Sequence, residues 1–535
     1  MNFYTYPYSS QRRVTFGALG MVATSQQLCA QVGLDILKQG GNAIDAAIAT
    51  AACLTVVEPC SNGIGGDAFA QIWTKDGLFG LNSTGFCPEL LTAQMVRDAG
   101  HKSMPKVGFF PQTVPGIPAA WSALSERFGR LPLTEVLAPA IRYAAEGFVV
   151  GPTISERWQT AAEETYAPYR DTPAFAEWFR VFTNHGKAPK AGERWKLPDH
   201  ASTLTEIANT GAKSFYRGAL AEEIDCYMRA AGGFLRKSDL AAFEPEWVTP
   251  LSTAFRGYDI WELPPNGQGM IALMALNILN DMTLPALDNP TSWHLQIEAL
   301  KLAASDAYYY IADPRTGMEV TPQQLLSAAY AQRRRAMITD RALLPTVGNP
   351  TDGGTVYLCT ADADGNMVSY IQSNYNGFGS GIVVPGTGIA LHNRGSGFYL
   401  DEKSSNCLAP GKRPYHTIIP GFISKNGQPV APFGVMGAFM QPQGHLQVVL
   451  KMLEYDQNPQ SALDAPRWYW TGERNVSLEH GVPLYIAQAL EQMGHRVSYS
   501  VDRAPFGRGQ VIWRQQNGVY AGGTDPRCDG AVVSQ

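Results

Sequence analysis

The chain is sparing with charge, and what charge it has is scattered. Charged residues make up 17% of its 535 positions, and the formal net charge is −5. With no basic run or stripe, nucleic acid is not an expected partner. No apolar run reaches the roughly 18 residues of a membrane-crossing helix, so no membrane span is expected. The opening residues, Met1 to Tyr8, lack the basic-then-apolar pattern of a secretory leader, and the expected location is cytoplasmic. Eight cysteines (Cys29, Cys53, Cys60, Cys87, Cys226, Cys359, Cys407, Cys528) show no CxxC spacing and mostly sit among apolar neighbours. They read as reduced thiols, which excludes a disulfide framework. Nine histidines form no HExxH or comparable ligand pattern, so no metal and no other cofactor is expected. Internal repeats and low-complexity linkers are also missing.

Apolar residues are plentiful. At 45% hydrophobic, the chain can bury one large core or two that pack closely. A short strand is expected at 17–23, then a helix over 28–38 capped by Ser25 and ended by Gly40-Gly41. A second, very apolar helix is expected over 42–57, its small residues allowing close packing on a sheet. Gly63-Ile64-Gly65-Gly66-Asp67 turns into a strand at 68–73. Helices fill 119–240, among them 133–146, and a long helix over 292–312 stops at Asp313-Pro314. From Thr355 onward, short β-runs alternate with Gly, Pro and Asn turns, broken by helices near 443–454 and 482–493. Strands at both ends with helices between predict one α/β domain assembled from distant parts of the chain.

The most informative segment is Asp352-Gly353-Gly354-Thr355-Val356-Tyr357-Leu358. A lone threonine follows two glycines at the head of an apolar strand, and Asp362 to Asn366 then turns into a second strand from Met367 to Ser373. The plain reading is a β-branched residue at a strand edge. The chemical reading is a chain that cuts itself. Glycines reach backbone angles closed to other residues, so the Gly354 carbonyl can be offered to the Thr355 hydroxyl. Acyl transfer from nitrogen to oxygen, then hydrolysis, would free Thr355 as a new N-terminus whose α-amine serves as its own base.

Over nearly its whole length the sequence resembles the γ-glutamyltranspeptidase family of N-terminal-nucleophile hydrolases. The resemblance is carried by Gly40-Gly41-Asn42-Ala43-Ile44-Asp45, Gly63-Ile64-Gly65-Gly66-Asp67 and Thr113-Val114-Pro115-Gly116. Further along it rests on Leu263-Pro264-Pro265, Asp313-Pro314, Asp364-Gly365-Asn366, Phe378-Gly379-Ser380-Gly381, Lys412-Arg413-Pro414 and Thr524-Asp525-Pro526-Arg527. It implies a four-layer αββα sandwich, with two stacked mixed or antiparallel sheets between helical layers. It also implies self-cleavage between Gly354 and Thr355. The products would be a large subunit, 1–354, and a small one, 355–535, joined as a heterodimer and possibly as a dimer of heterodimers. Thr355 would be the nucleophile, Ser373 its hydroxyl partner, and the Gly437 and Ala438 N–H groups the oxyanion hole, provided that φ of Ala438 is negative. His416-Thr417 takes the place of a Ser-Ser pair, and the plain reading of His416 is a core histidine.

Departures from the family pattern bear on the substrate. The family's arginine for an α-carboxylate has no counterpart in Leu81 to Pro88, and Gly397 stands where an aspartate would hold the α-ammonium. Tyr375 replaces an asparagine, with Asn374 beside it. Arg394 is a new cation. It is either structural or a clamp for an anionic substrate that lacks an ammonium group. The pattern favours a small anionic amide, with oxamate as the candidate, as in the cytoplasmic oxamate amidohydrolase-like members of purine breakdown. The alternatives are a glutathione hydrolase or γ-glutamyltransferase, or a cephalosporin-type acylase whose acyl pocket Phe86, Tyr375 and Phe378 would line. An uncut, inactive paralogue is the non-enzyme reading.

Overall fold

The protein is described by a computed structural model covering residues 7–8, 12–345 and 354–535. The loop expected just ahead of the nucleophile, with Asp352 and Gly353, lies outside the described residues. Most strands fall into two sheets of seven. In the first, spatial order runs Ala531–Ser534, Gly20–Thr24, Gly354–Asp362, Met367–Tyr375, Asp67–Thr74, Gly77–Ser83, Glu246–Val248. In the second it runs Thr15–Gly17, Tyr520–Thr524, Arg508–Arg514, Gln428–Met436, Gly421–Lys425, Tyr258–Glu262, Leu251–Phe255. Every described pairing within these two sheets is antiparallel, so neither of the two is mixed. Tight turns between consecutive strands, as between Asp67–Thr74 and Gly77–Ser83, impose that direction.

Alternation along the strands sorts side chains by sheet face. Tyr357, Cys359 and Ala361 join Met21, Phe69, Phe422 and Ile512 in an apolar cluster contributed by both sheets. Val356 and Leu358, one residue out of step, face the opposite way, into a cluster with Ile44, Ile48 and Leu54 of the helix Ala43–Val57. In the second sheet, Ile423, Phe433 and Val511 likewise turn away toward Leu273, Leu300 and Leu446 of the helices Met270–Asn280, Pro290–Tyr310 and Gln441–Leu453. Gly434 marks a close approach between the sheets: a Cβ there would stand 2.5 Å from the Tyr357 ring.

The Gly41-Asn42-Ala43-Ile44-Asp45 signature proves to be a capping box. The Asn42 side chain accepts from the Ile44 and Asp45 N–H groups, and Asp45 Oδ2 accepts from the Asn42 N–H at 3.0 Å. Asp362 extends the cap across to the hairpin. Its Oδ2 accepts from the Ala43 N–H at 2.9 Å, while its Oδ1 accepts from the Asp364 and Asn366 N–H groups. Ser25 is not a cap. The helix Gln27–Lys38 begins after Gln26, and the Ser25 hydroxyl donates to buried Glu58 at 2.6 Å, a charge-assisted bond. The helix Leu133–Glu146 falls where expected, and the long helix is Pro290–Tyr310.

Candidate active site

Thr355 sits one residue into the strand Gly354–Asp362, near the middle of the first sheet and almost wholly buried. The ladder slips there. Gly354 pairs with Tyr375 but Val356 with Gln372, so Ser373 and Asn374 together face Thr355. Such a bulge re-aims side chains, and here it brings Ser373 Oγ to 3.1 Å from Thr355 Oγ1. The Tyr375 N–H donates to the same Ser373 oxygen at 2.7 Å. With that lone pair occupied, the Ser373 hydroxyl can point its own proton at the threonine oxygen.

Ser373 pairs on its other side with Asp67, at the start of the strand Asp67–Thr74. Asp67 is fully buried and gathers several donors. Arg394 Nε donates to Oδ2 at 2.8 Å and Nη2 to Oδ1 at 3.3 Å, while His416 Nε2 lies 2.7 Å from Oδ2. His392 Nδ1 approaches Oδ2 to 3.4 Å, close enough for an electrostatic contact but without hydrogen-bond alignment. Burial alone would raise the Asp67 pKa, but the Arg394 guanidinium, then His416, hold it well below the usual carboxylate range. Burial first, then the Arg394 charge, lower the His416 pKa to about 4. Because the Ile418 N–H donates to His416 Nδ1 at 3.3 Å, the neutral ring carries its proton on Nε2, facing Asp67. His416 is thus a buried histidine that completes the Asp67 shell.

Arg394 opens a short turn, Arg394–Gly397, and its Nη1 donates to Thr417 Oγ1 at 2.8 Å. Asp67 thus supplies an anion for Arg394 from within the chain. Asp67 and Thr417 account for three of the five guanidinium N–H groups, leaving one each on Nη1 and Nη2.

Gly437 and Ala438 stand at the turn ahead of the helix Gln441–Leu453, where the first N–H groups have no intrahelical acceptor. Both take positive φ, +137 and +49, so the expected negative φ at Ala438 is overturned. A Cβ is costly in that region, and the surroundings hold the peptide in place. Gln268 Nε2 donates to the Ala438 carbonyl at 2.8 Å and to the Thr417 carbonyl at 2.6 Å, and Tyr415 donates to Gln268 Oε1 at 3.0 Å. One chain of contacts thus runs from Thr355 through Ser373, Asp67, Arg394, Thr417 and Gln268 to Ala438. Sequence reasoning assigned no role to Asp67 or Gln268. Their available signals were a buried-type acid closing a glycine motif, and a Gln three residues beyond Leu263-Pro264-Pro265.

Asn374 is fully buried, and neither atom of its amide has a partner among the described residues. Phe378 is not in the site. It packs among Trp158, Trp178 and Phe182, and Phe86 packs on Phe243. Phe378 is a core residue, while Phe86 is partly buried and packs against that core. A cavity of about 520 Å³ is lined by Lys102, Tyr308, Phe398, Tyr399, Leu400 and Lys403, among others. Burial, then the Tyr375 phenol, push the Tyr399 pKa up.

One metal-type cluster occurs among the described residues: His294, Glu298 and His495. His294 Nδ1 and His495 Nε2 are 2.8 Å apart, and the Lys301 ammonium donates to Glu298 Oε1 at 2.7 Å. A second cation beside that ammonium is disfavoured. The cluster works as a hydrogen-bond network holding the carbonyls of Thr339 and Leu343.

The family model for Gamma-glutamyltranspeptidase matches residues 29–535. The Glutathione hydrolase-like YwrD proenzyme of Bacillus subtilis is 36% identical, covering 97% of this chain and 98% of the relative. The Oxamate amidohydrolase proenzyme of Klebsiella pneumoniae is also 36% identical, covering 96% and 98%. The crystal structure of cephalosporin acylase from Bacillus halodurans superposes with a TM-score of 0.95 at 53% identity, covering 99% and 98% of the two chains. The chain belongs to the γ-glutamyltranspeptidase family.

Proposed function

We propose that this family member is a self-processing, N-terminal-threonine amidohydrolase for linear amides whose acyl group lacks an α-ammonium. The carrying observation is the 3.1 Å approach of Thr355 Oγ1 to Ser373 Oγ at the ladder slip. The alternating clusters support reading the layers as an αββα sandwich. Cleavage of Gly354–Thr355 would give chains of 1–354 and 355–535 that stay together as a heterodimer. The freed α-amine of Thr355 takes the hydroxyl proton as Oγ1 attacks the amide carbon, and the Gly437 and Ala438 N–H groups receive the oxyanion. The amine leaves, and water then releases the acid from the ester. Asn374 supplies an unpaired amide beside this point for water or substrate. The two spare Arg394 N–H groups, with Thr417 alongside, are assigned to the acyl group's carboxylate.

Within that class, oxamate is the first candidate substrate, consistent with the similarity to an oxamate amidohydrolase proenzyme. The second reading is an acylase for bulkier amides. The cavity lined by Tyr308, Phe398 and Tyr399 and the likeness to a cephalosporin acylase favour it. A γ-glutamyl head group is the least suited, because Gly397 supplies no acid for its ammonium. Denaturing electrophoresis and N-terminal sequencing test the processing. Turnover of oxamate, glutaryl amides and a γ-glutamyl anilide ranks the substrates. A protein that stays one chain, or cleaves only the γ-glutamyl anilide, would overturn the reading.

A further inference from the structure

We infer that Asp67 is a positioning and specificity residue: a built-in counter-anion that orients Arg394 and limits how strongly the site attracts carboxylate-bearing acyl groups. The inference rests on the function proposed above, and it adds a residue to which that function gave no part.

An arginine that is 1% exposed needs an anion nearby. Asp67 provides one at the Nε edge and fixes the plane of the guanidinium, while Tyr375 covers one face of it at 4.4 Å. The pair is neutral overall, and His416 beside it is neutral as well, its pKa lowered by burial to about 4. An incoming carboxylate therefore finds two remaining guanidinium N–H groups but no net positive charge. That combination recognises the shape of a carboxylate while binding it only moderately, which suits release of an acid product bearing two carboxylates. Removing the Asp67 charge would leave Arg394 as an uncompensated buried cation, and a ligand anion would then be held much more tightly.

The test compares the processed wild type with Asp67→Asn. Glutarate binding is measured by calorimetry. Values of kcat and KM are measured for two anilides of like length, one glutaryl and one pentanoyl. The expected result is at least about tenfold tighter glutarate binding by Asp67→Asn, a KM for the glutaryl anilide lowered relative to the pentanoyl anilide, and slower turnover of the glutaryl anilide as product release lags. Unchanged glutarate affinity with an unchanged KM ratio overturns the inference, since a merely structural aspartate would affect both anilides alike. If Asp67→Asn does not fold or process, the Asp67→Asn/Arg394→Gln double variant removes both charges at once. That variant should lose the preference for glutaryl over pentanoyl, and keeping the wild-type ratio overturns the inference. Should the wild type hydrolyse no carboxylate-bearing amide, the functional reading fails, and the glutarate affinities still decide the role of Asp67.

Discussion

Tyr375 connects Ser373 to Arg394: its N–H donates to Ser373 Oγ at 2.7 Å, and its ring lies 4.4 Å below the Arg394 guanidinium carbon. It does so at φ +74, a left-handed backbone that a tyrosine adopts only when its surroundings impose it. The residue that places the Ser373 hydroxyl therefore also places the aromatic face on which the arginine rests.

Thr355→Ala should remain a single uncut chain without amidase activity. In Ser373→Ala, loss of the hydroxyl next to Thr355 Oγ1 should slow both processing and turnover by about tenfold, the scale of one buried hydrogen bond of roughly 1.4 kcal/mol. Ser373→Thr keeps the donor and should stay near wild type. Gel densitometry over time measures processing. A Ser373→Ala protein that matures at the wild-type rate would remove Ser373 from the mechanism.

Arg394→Ala is expected to harm the fold as well as catalysis. It strands a buried Asp67 carboxylate, and breaking a buried pair by deleting one partner costs about 3–5 kcal/mol. Thermal unfolding should reveal this as a Tm loss of several degrees, alongside reduced kcat/KM. Arg394→Ala with an unchanged Tm would mean that Asp67 finds other partners.

How much of this was legible in advance depends on the range of the interaction. Thr355, Ser373 and the hairpin are local in sequence, and strand periodicity with the glycine pair exposed them. The capping box at Asn42 and Asp45 was likewise written in consecutive residues. The Asp67–Arg394 pair joins positions 327 residues apart, and only the folded chain brings them together. The positive φ of Ala438 escaped for a similar reason, since a non-glycine residue is held there by Gln268, 170 residues away. Phe378 was misread because an aromatic beside a glycine turn looks the same whether it faces a pocket or a core.

Ala438→Gly should stabilise the protein by about 1 kcal/mol, because the left-handed conformation costs an alanine that much and a glycine almost nothing. The donating N–H is retained, so kcat should stay within about threefold. Chemical denaturation of both proteins measures the difference. A less stable Ala438→Gly would show that the Ala438 methyl packs better than its backbone strain costs.

Acid should weaken the fold earlier than the carboxylates alone would dictate. Burial lowers the pKa of His200 to about 4, of His416 to about 4 and of His445 to about 3. Unfolded histidine titrates near 6.5. Between those values the unfolded chain binds more protons than the folded one. Stability is therefore complete above about pH 6.5 and falls as pH drops toward 4, each histidine contributing on the order of 3 kcal/mol at the limit. Asp67, held low, gives stability that is present above the ordinary carboxylate value near 3.9 and is lost only as pH falls below it. Tm should hold from pH 7.5 to about 6.5 and then decline toward pH 4.5, and a flat profile down to pH 4.5 would contradict the assignment.

The strand that begins at Gly354 is hydrogen-bonded along one edge to Gly20–Thr24 and along the other to Met367–Tyr375, which in turn borders Asp67–Thr74. A cut ahead of Thr355 therefore places a new chain end near the middle of a seven-stranded sheet, with segments of the two products alternating across it. What changes is molecularity. The intact chain unfolds as a first-order process whose midpoint is independent of concentration. The severed one dissociates into two polypeptides, so its midpoint rises with the logarithm of protein concentration, and its recovery requires two chains to meet. Maturation would then turn a reversible fold into one that dilution makes progressively harder to rebuild.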